Sequence, residues 1–331
     1  MEIVQGVHQI KIPLPGGTLD HVNAYVLQGD KGNVLIDTGF DTPETFAALR
    51  EGLRMGGIGF KYITHIIITH IHPDHYGMAA KLKQMTGATV AFTETEEKLL
   101  ESRYQNPEGL LAEIRGLLQS NGVPEEYLSE FVEVAMPLRD FVGMVAADTK
   151  LKGGEKISVG STELKVIFTP GHSPGHLCLY EPKRKFLFSG DHVLPDITPH
   201  VGFHPQSGDN PLGDFLAALE ALTQLDINLV FPGHGSVFSG IRLRINELLY
   251  HHQERERAIV IAAEDEMKTA YQIASEILWM PTGEPIPFSK LSNFDKRLAV
   301  LETLAHLKYL MSKGKAQKFT KDGLDLYWTG E

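Results

Sequence analysis

Thr69-His70-Ile71-His72-Pro73-Asp74-His75 is the stretch around which this chain is organised. Three imidazoles and a carboxylate fall within six residues. They follow directly on residues 62–68, where Ile63, Ile66, Ile67 and Ile68 make a run that reads as a buried strand. Such a strand delivers its loop to the C-terminal edge of a sheet, where open α/β sheets place their sites. Neutral imidazoles and carboxylates are metal ligands. His70 and His72 are two apart, so on an extended chain end they point to one side. Asp74 and His75, one turn on, are placed to face a second ion.

Three further loops at strand ends carry the same chemistry. They are Thr169-Pro170-Gly171-His172, Gly190-Asp191-His192 and Pro232-Gly233-His234-Gly235. Each is flanked by Gly or Pro, which permits tight turns and close backbone approach. A lone His after Pro-Gly is an ordinary loop residue. Together, five His and two Asp in the order His-x-His-x-Asp-His, His, Asp, His, each after an apolar strand, point to a binuclear metal site.

The remaining elements frame these loops. Strands are expected at residues 3–13, 21–28 and 33–36, with a turn at Pro15-Gly16-Gly17 and a helix from the Thr42 cap and Pro43 to about Met55. A helix over 76–86 ends at Gly87, and a strand follows at 88–92. Residues 94–147 interrupt this rhythm with amphipathic helical patterns over 94–104, 107–120 and 124–136. They form either a helical insertion packing its own small core or a lid whose Phe131, Met136, Phe141 and Met144 wall an apolar pocket. Strands return at 155–159, 164–168, 177–180, 185–189 and 228–231, with a helix at 211–225. Two similar layers, each of strands and helices, therefore face one another. Helices are then expected over 242–262, 269–280 and 296–314, with a loop at 281–287 and a closing hairpin at 315–328. Helix, helix, hairpin is the order of a winged-helix domain.

The chain has 331 residues, 42% hydrophobic and 22% charged, enough to bury a sizeable core. Its net charge of -11 disfavours broad attraction to nucleic acid or anionic membrane. The single cysteine, Cys178, sits in an apolar run and reads as a core residue. One cysteine forms no intrachain disulfide, which points to a reducing, cytoplasmic setting. Neither a signal-peptide pattern nor an apolar run of the ~20 residues that span a bilayer is found.

These motifs resemble those of the metallo-β-lactamase-fold hydrolase superfamily, over roughly residues 3–257. The resemblance implies a four-layer αββα sandwich as the catalytic domain (1–257, with the helical insertion at about 94–147), followed by a winged-helix-like domain at 258–331. It implies that His70, His72 and His172 bind one ion, that Asp74, His75 and His234 bind the other, and that Asp191 bridges them. Asp37, in Leu35-Ile36-Asp37-Thr38-Gly39, would orient a ligand. The cofactors would be two divalent ions: zinc by default, with iron or manganese suiting the same donors. Ions ~3.5–4 Å apart share a water and lower its pKa toward ~7, and Asp74 would orient the hydroxide and take up its proton. True lactamases of the superfamily usually lack an Asp at the bridging position. The flavin-linked diiron reductases carry Glu where this chain has His72. The C-terminal block resembles the appendage of lactamase-β-like and glyoxalase-II-like hydrolases.

The expected activity is hydrolysis of a small ester- or thioester-type molecule. The alternative is an endoribonuclease whose winged helix grips single-stranded RNA through Lys308, Lys313, Lys315, Lys318 and Lys321. The acidic chain weighs against it, leaving the appendage to pack beside the site or to mediate a homodimer. A mononuclear iron oxygenase is a third option, opposed by the full second ligand set. His192 and His200 are candidates for supporting a ligand or touching substrate. His176, His204, His251 and His252 read as structural or solvated.

Overall fold

The computed structural model describes residues 1–14, 19–133, 136–280 and 283–330, with the backbone alone at 136 and 137. The turn expected at Pro15-Gly16-Gly17, Pro281-Thr282 of the expected 281–287 loop and the Met136 side chain lie outside the described residues.

Seven strands line up in chain order as one sheet: β1 (Glu2–Val4), β2 (Val7–Pro13), β3 (His21–Gly29), β4 (Gly32–Ile36), β5 (Ile63–Ile67), β6 (Thr89–Thr93) and β7 (Thr149–Leu151). The first four pair antiparallel; β4, β5, β6 and β7 pair parallel. The second sheet contains β8 (Lys156–Val159), β9 (Thr162–Phe168), β10 (Leu177–Glu181), β11 (Phe186–Gly190) and β12 (Leu229–Pro232), with β11 and β12 parallel. The expected single strand at 3–13 is broken at Gly6, which has φ 77°. β7 had no counterpart in the sequence reading.

The two sheets face each other across Tyr25, Leu27, Ile36 and Ile67 from one side and Val166, Leu179, Phe188 and Phe231 from the other. On the outer face of the first sheet lie α1 (Pro43–Met55) and α3 (Ala79–Thr86), through Leu49, Leu53 and Leu82. α1 starts as its sequence demands, with the Thr42 hydroxyl accepting from the Thr45 N–H at 3.2 Å. On the outer face of the second sheet lie α7 (Pro211–Leu222) and α8 (Ile241–Ala263), through Phe215, Leu219, Ile245 and Leu248. The result is the expected four-layer α/β arrangement. Cys178 is part of it: its buried thiol donates to the Ser189 carbonyl, and burial pushes its pKa up to about 12.

Several helices differ from expectation. The one expected at 76–86 is divided into α2 (Pro73–Tyr76) and α3, because the chain re-aims at Gly77-Met78. The one expected at 94–104 is only α4 (Glu94–Glu97), followed by a π-turn over Glu101–Gln105. The insertion continues as α5 (Glu108–Ser120) and α6 (Glu125–Glu133).

After α8 come α9 (Ala270–Glu276), a two-stranded ladder of β13 (Leu278–Trp279) with β14 (Ile286–Pro287), α10 (Asn293–Ser312) and a hairpin of β15 (Gln317–Lys321) with β16 (Leu324–Trp328). The helix expected to reach Met280 stops four residues early, where Leu278 and Trp279 pair with β14 instead. Residues 257 and 258, the expected domain junction, are adjacent residues within α8.

Among the described residues, the insertion does not pack a core of its own. Ile114, Leu118, Leu128 and Phe131 share one core with Ile259, Ile273, Leu304 and Leu307 from α8, α9 and α10. The Tyr327 hydroxyl of β16 closes the arrangement by donating to Asn121 Oδ1 at 2.9 Å. Phe141 packs edge-on against Phe40 at 5.9 Å, and Met144 is exposed.

Candidate metal centre

The ends of β4, β5, β9, β11 and β12 meet at one edge of the sandwich, and each releases one of the predicted loops. Backbone bonds tie these loops together: Leu177 N–H to Thr69 O at 3.0 Å and Asn23 N–H to Gly233 O at 2.7 Å across the two sheets, and Gly233 N–H to Gly190 O at 2.8 Å within the second. Glycine is required at two of the crossings. A Cβ on Gly233 would collide with Asp191 Oδ1 and stand 2.8 Å from His75 Cε1. Gly190 has φ +48°, and a Cβ there would lie 2.6 Å from His176 Nε2.

All seven predicted ligands converge. His70 Nε2 and His172 Nε2 stand 2.9 and 3.1 Å from His72 Nδ1. On the other side, His234 Nε2 is 3.3 Å from Asp74 Oδ2, and His75 Nε2 is 3.7 Å from the same oxygen. Asp191 lies between the two sets. Its Oδ1 is 3.4 Å from His75 Nε2, and its Oδ2 is 3.6 Å from His172 Nε2 and 3.4 Å from His234 Nε2.

Four of these rings are oriented from behind. His75 Nδ1 donates to Asp37 Oδ2 at 2.8 Å, His172 Nδ1 to the His200 carbonyl at 2.8 Å, and His234 Nδ1 to the His21 carbonyl at 2.9 Å. His70 Nδ1 donates to the Thr69 hydroxyl at 3.0 Å, which in turn donates to Asp37 Oδ2 at 2.9 Å. With the outer nitrogen protonated, the inner nitrogen of a neutral ring presents a lone pair. Lone pairs facing each other at these distances are satisfied by a shared proton or by a metal ion between them. His75 Nε2 and Asp191 Oδ1 are buried with no hydrogen-bond partner. Ligands about 2.05 Å from a tetrahedral ion lie about 3.3 Å apart, which is the spacing found here. The donor set therefore fits divalent metal.

Charge supports the same partition. Burial, followed by the neighbouring imidazoles, keeps His70 and His72 well below 6.5, and burial likewise lowers His172, so all three are neutral. Burial also opposes charge on His75, but Asp191, Asp74 and Asp37 overcome it and hold the proton well above 6.5. At His234 the opposing carboxylates Asp191 and Asp74 again exceed the burial penalty and raise the pKa to about 10. Asp191 and Asp74 are both held below the usual carboxylate value, since His234 and His75 outweigh their burial. The metal-free site thus carries protons on the histidines of one half only.

Asp37 occupies the orienting position expected of it. It adopts φ 59°, and its carboxylate also accepts the Thr69 N–H at 2.8 Å. His200 acts through its backbone carbonyl on His172, while its ring lies 3.8 Å from Glu302 Oε2. His192 is fully buried against Phe215, with neither ring nitrogen partnered; burial lowers its pKa to about 3. Among the described residues its ring therefore anchors no ligand.

Glu96 escaped the sequence reading. It is fully buried, and its carboxylate accepts from Ile71 N–H at 3.0 Å, the Ser173 hydroxyl at 2.6 Å and Gly175 N–H at 2.7 Å, clamping two ligand loops together. Its only sequence signal, Thr93-Glu94-Thr95-Glu96, has the form of a capping box. Thr93 does cap the Glu96 N–H, but the Glu96 carboxylate turns to the loops instead. His176, read from the sequence as structural or solvated, supports another ligand loop: Thr169 holds its Nδ1 at 2.8 Å, and its Nε2 accepts the Asp191 N–H at 3.1 Å. Asn23 and Tyr25 fix the His234 loop by donating to the Pro232 carbonyl at 3.0 and 2.8 Å.

The sequence signature of the metallo-beta-lactamase superfamily matches residues 17–234, a span holding every residue of this centre. The chain belongs to the metallo-beta-lactamase superfamily. Its class is that of the metallo-hydrolases. It is similar to the probable metallo-hydrolase YqjP of Bacillus subtilis, with 24% identity over 98% of this chain and 96% of that one. Among solved structures it is similar to the metallo-beta-lactamase family protein TTHA1429 of Thermus thermophilus, with 30% identity, TM-score 0.84 and 99% of both chains covered. A beta-lactamase domain protein of Burkholderia ambifaria shares the fold at 24% identity and TM-score 0.78, over 100% of this chain and 94% of that one. For all three of these proteins the similarity thus extends across the C-terminal helices and hairpin. Among the described residues, no helix is long and apolar enough to cross a membrane.

Proposed function

We propose that the chain is a binuclear metal-dependent hydrolase of a small ester- or thioester-type substrate. The observation that carries this reading is the position of Asp191, whose two oxygens face the ligand sets of both halves. One half would be held by His70, His72 and His172, the other by Asp74, His75 and His234. When bound, two divalent ions supply Lewis acidity and make water acidic enough to ionise near neutral pH. Zinc is the default for this donor set, and iron and manganese also suit it.

The remaining work falls to the chain. Asp74 is the most open of the site carboxylates, its side chain 19% exposed against 9% for Asp191 and 3% for Asp37. It is the group placed to orient an attacking water and take its proton. Asp37, Thr69 and the carbonyls of His21 and His200 hold the rings in one tautomer, so nothing must reorganise as charge develops. Asp74→Asn with full metal occupancy should lose at least ~10²-fold in kcat; an unchanged kcat would remove Asp74 from that role. Assaying the metal-replete protein on thioesters, lactones, phosphodiesters and RNA tests the substrate class.

We read the C-terminal block as a winged-helix-like appendage serving as structural support. Its lysines are largely engaged: Lys315 with Glu256 at 3.1 Å, Lys318 with Asp325 at 2.8 Å, and Lys308 over the Phe203 ring at 4.5 Å. That favours the small-molecule reading over an RNA grip. RNA binding that weakens steeply with salt would reverse this choice.

A further inference from the structure

The arginines of this chain are mostly paired. Arg54, Arg115, Arg184, Arg244, Arg255 and Arg257 each meet a carboxylate. Arg103 and Arg297 form no ion pair among the described residues, yet they lie within electrostatic reach of one another.

Their position is defined by the metal loops. Arg103 sits in the π-turn over Glu101–Gln105, a form of turn frequent at functional sites. The adjacent Tyr104 hydroxyl donates to the carbonyl of Ile71, between His70 and His72. Arg103 Nε donates to Gln206 Oε1 at 3.1 Å, and Gln206 Nε2 donates to Ser102 Oγ at 2.8 Å. Gln206 belongs to the same loop as His200, whose carbonyl holds His172. The Arg103 side chain is thus held in place by one bond, and its other N–H groups meet no acceptor among the described residues. Arg297 lies on α10 one turn before Leu301, whose carbonyl accepts the N–H of Phe203, the neighbour of His204, at 2.9 Å; it is partly buried, and its buried Nε has no partner among the described residues. Burial and then the Arg103 charge lower its pKa to about 10.

His204 completes the group. It lies near both guanidiniums, and burial followed by their charges keeps it neutral. Its Nδ1 accepts the Gln206 N–H at 3.2 Å, so the ring proton is on Nε2. The three side chains therefore offer donors and no negative charge. Two guanidiniums within electrostatic reach of one another, one of them partly buried and with no partner among the described residues, are unfavourable in isolation. They suit a bidentate oxyanion.

We propose that Arg103, Arg297 and His204 form an oxyanion subsite beside the His72 half of the metal centre, seating a carboxylate or phosphate group of the substrate remote from the bond that is cut. This rests on the hydrolase reading for the word substrate, but the anion binds there without any bond being cut, so the two fail separately.

The test is calorimetric titration of the metal-replete protein with inorganic phosphate and with acetate, beside Arg103→Met and Arg297→Met. The wild type is expected to bind, and each variant to bind roughly ten- to a hundredfold more weakly. Preference for phosphate assigns a phosphate-bearing substrate, and preference for acetate a carboxylate-bearing one. Equal binding by wild type and variants would put the anion on the metals and overturn the subsite, as would a wild type that binds neither anion. In anion-free buffer Arg297→Met is expected to melt no lower than wild type, because it removes an unpaired charge; a clearly lower melting point would make Arg297 structural and overturn the proposal. Esters with and without a carboxylate arm separate the two readings. If no ester is cleaved while the variants still lose phosphate, the hydrolase reading falls and the subsite stands. If both esters are cleaved alike by all three proteins, the subsite falls and the hydrolase stands.

Discussion

Glu96→Gln keeps the shape of the clamp and removes its charge. The carboxylate satisfies three donors in a fully buried position: Ile71 N–H, the Ser173 hydroxyl and Gly175 N–H. An amide has only one acceptor oxygen. With that oxygen toward Ser173 and Gly175, the amide NH₂ faces the Ile71 N–H, donor against donor. Stranding that buried N–H costs about 1–3 kcal/mol, and each surviving bond weakens by roughly 1 kcal/mol on losing its charge. The total is about 3–5 kcal/mol, a large part of the ~5–15 kcal/mol that holds a typical domain folded. Ile71 lies between two ligands and Ser173 follows a third, so metal affinity should also fall by roughly 10–100-fold. Urea unfolding of the metal-free protein measures the first effect, and chelator competition the second. A variant within ~0.5 kcal/mol of wild type, with unchanged metal affinity, would show that the loops hold their geometry without this carboxylate.

Asp37→Asn should reduce retention of the ion held by His75 by roughly 10–100-fold, read as metal per chain after dialysis against a chelator; full retention would mean that ring orientation is set elsewhere. Gly233→Ala should cost the centre its metal while the sheets persist, because the new methyl would occupy the space of Asp191 Oδ1. A metal-replete variant with native circular dichroism would contradict that. In the metal-free chain the His75 and His234 pKa values are raised, so their contribution to stability is fully present below pH 6.5. It is lost as pH rises through their folded values, about 10 for His234. Metal must displace those protons, so its affinity should rise with pH across the same window and binding should release protons, measurable by calorimetry in buffers of different ionisation heat. A pH-independent affinity would show the two rings to be neutral already.

The ligand set was legible in the sequence because its signals are local. A β-branched run predicts a strand, Gly and Pro predict a tight loop at its end, and His or Asp in that loop is chemically distinctive. Repeated along the chain, this pattern placed His70, His72, Asp74, His75, His172, Asp191 and His234 at one edge, with Asp37 behind them. Helix limits were less legible. Residues 94–104 carry a helical pattern, but Tyr104 bonds to Ile71 and the chain winds into a π-turn; residues 278–280 continue a helical pattern, but a partner strand claims Leu278 and Trp279.

Two decisions required the tertiary structure. Glu96 looks like a helix cap in sequence, and only packing shows its carboxylate turned to Ile71, Ser173 and Gly175. Arg103 and Arg297 are 194 positions apart in a chain with many surface arginines, and only the fold brings them within electrostatic reach of one another, with no ion pair for either among the described residues. The same holds for the insertion, whose apolar faces read as a separate core yet close on α8, α9 and α10. The sequence alone determined which atoms can hold metal, because ligand chemistry resides in single residues and short loops. The tertiary structure decided what orients those atoms and what lies beside them, because burial and the pairing of charge depend on residues distant in the chain.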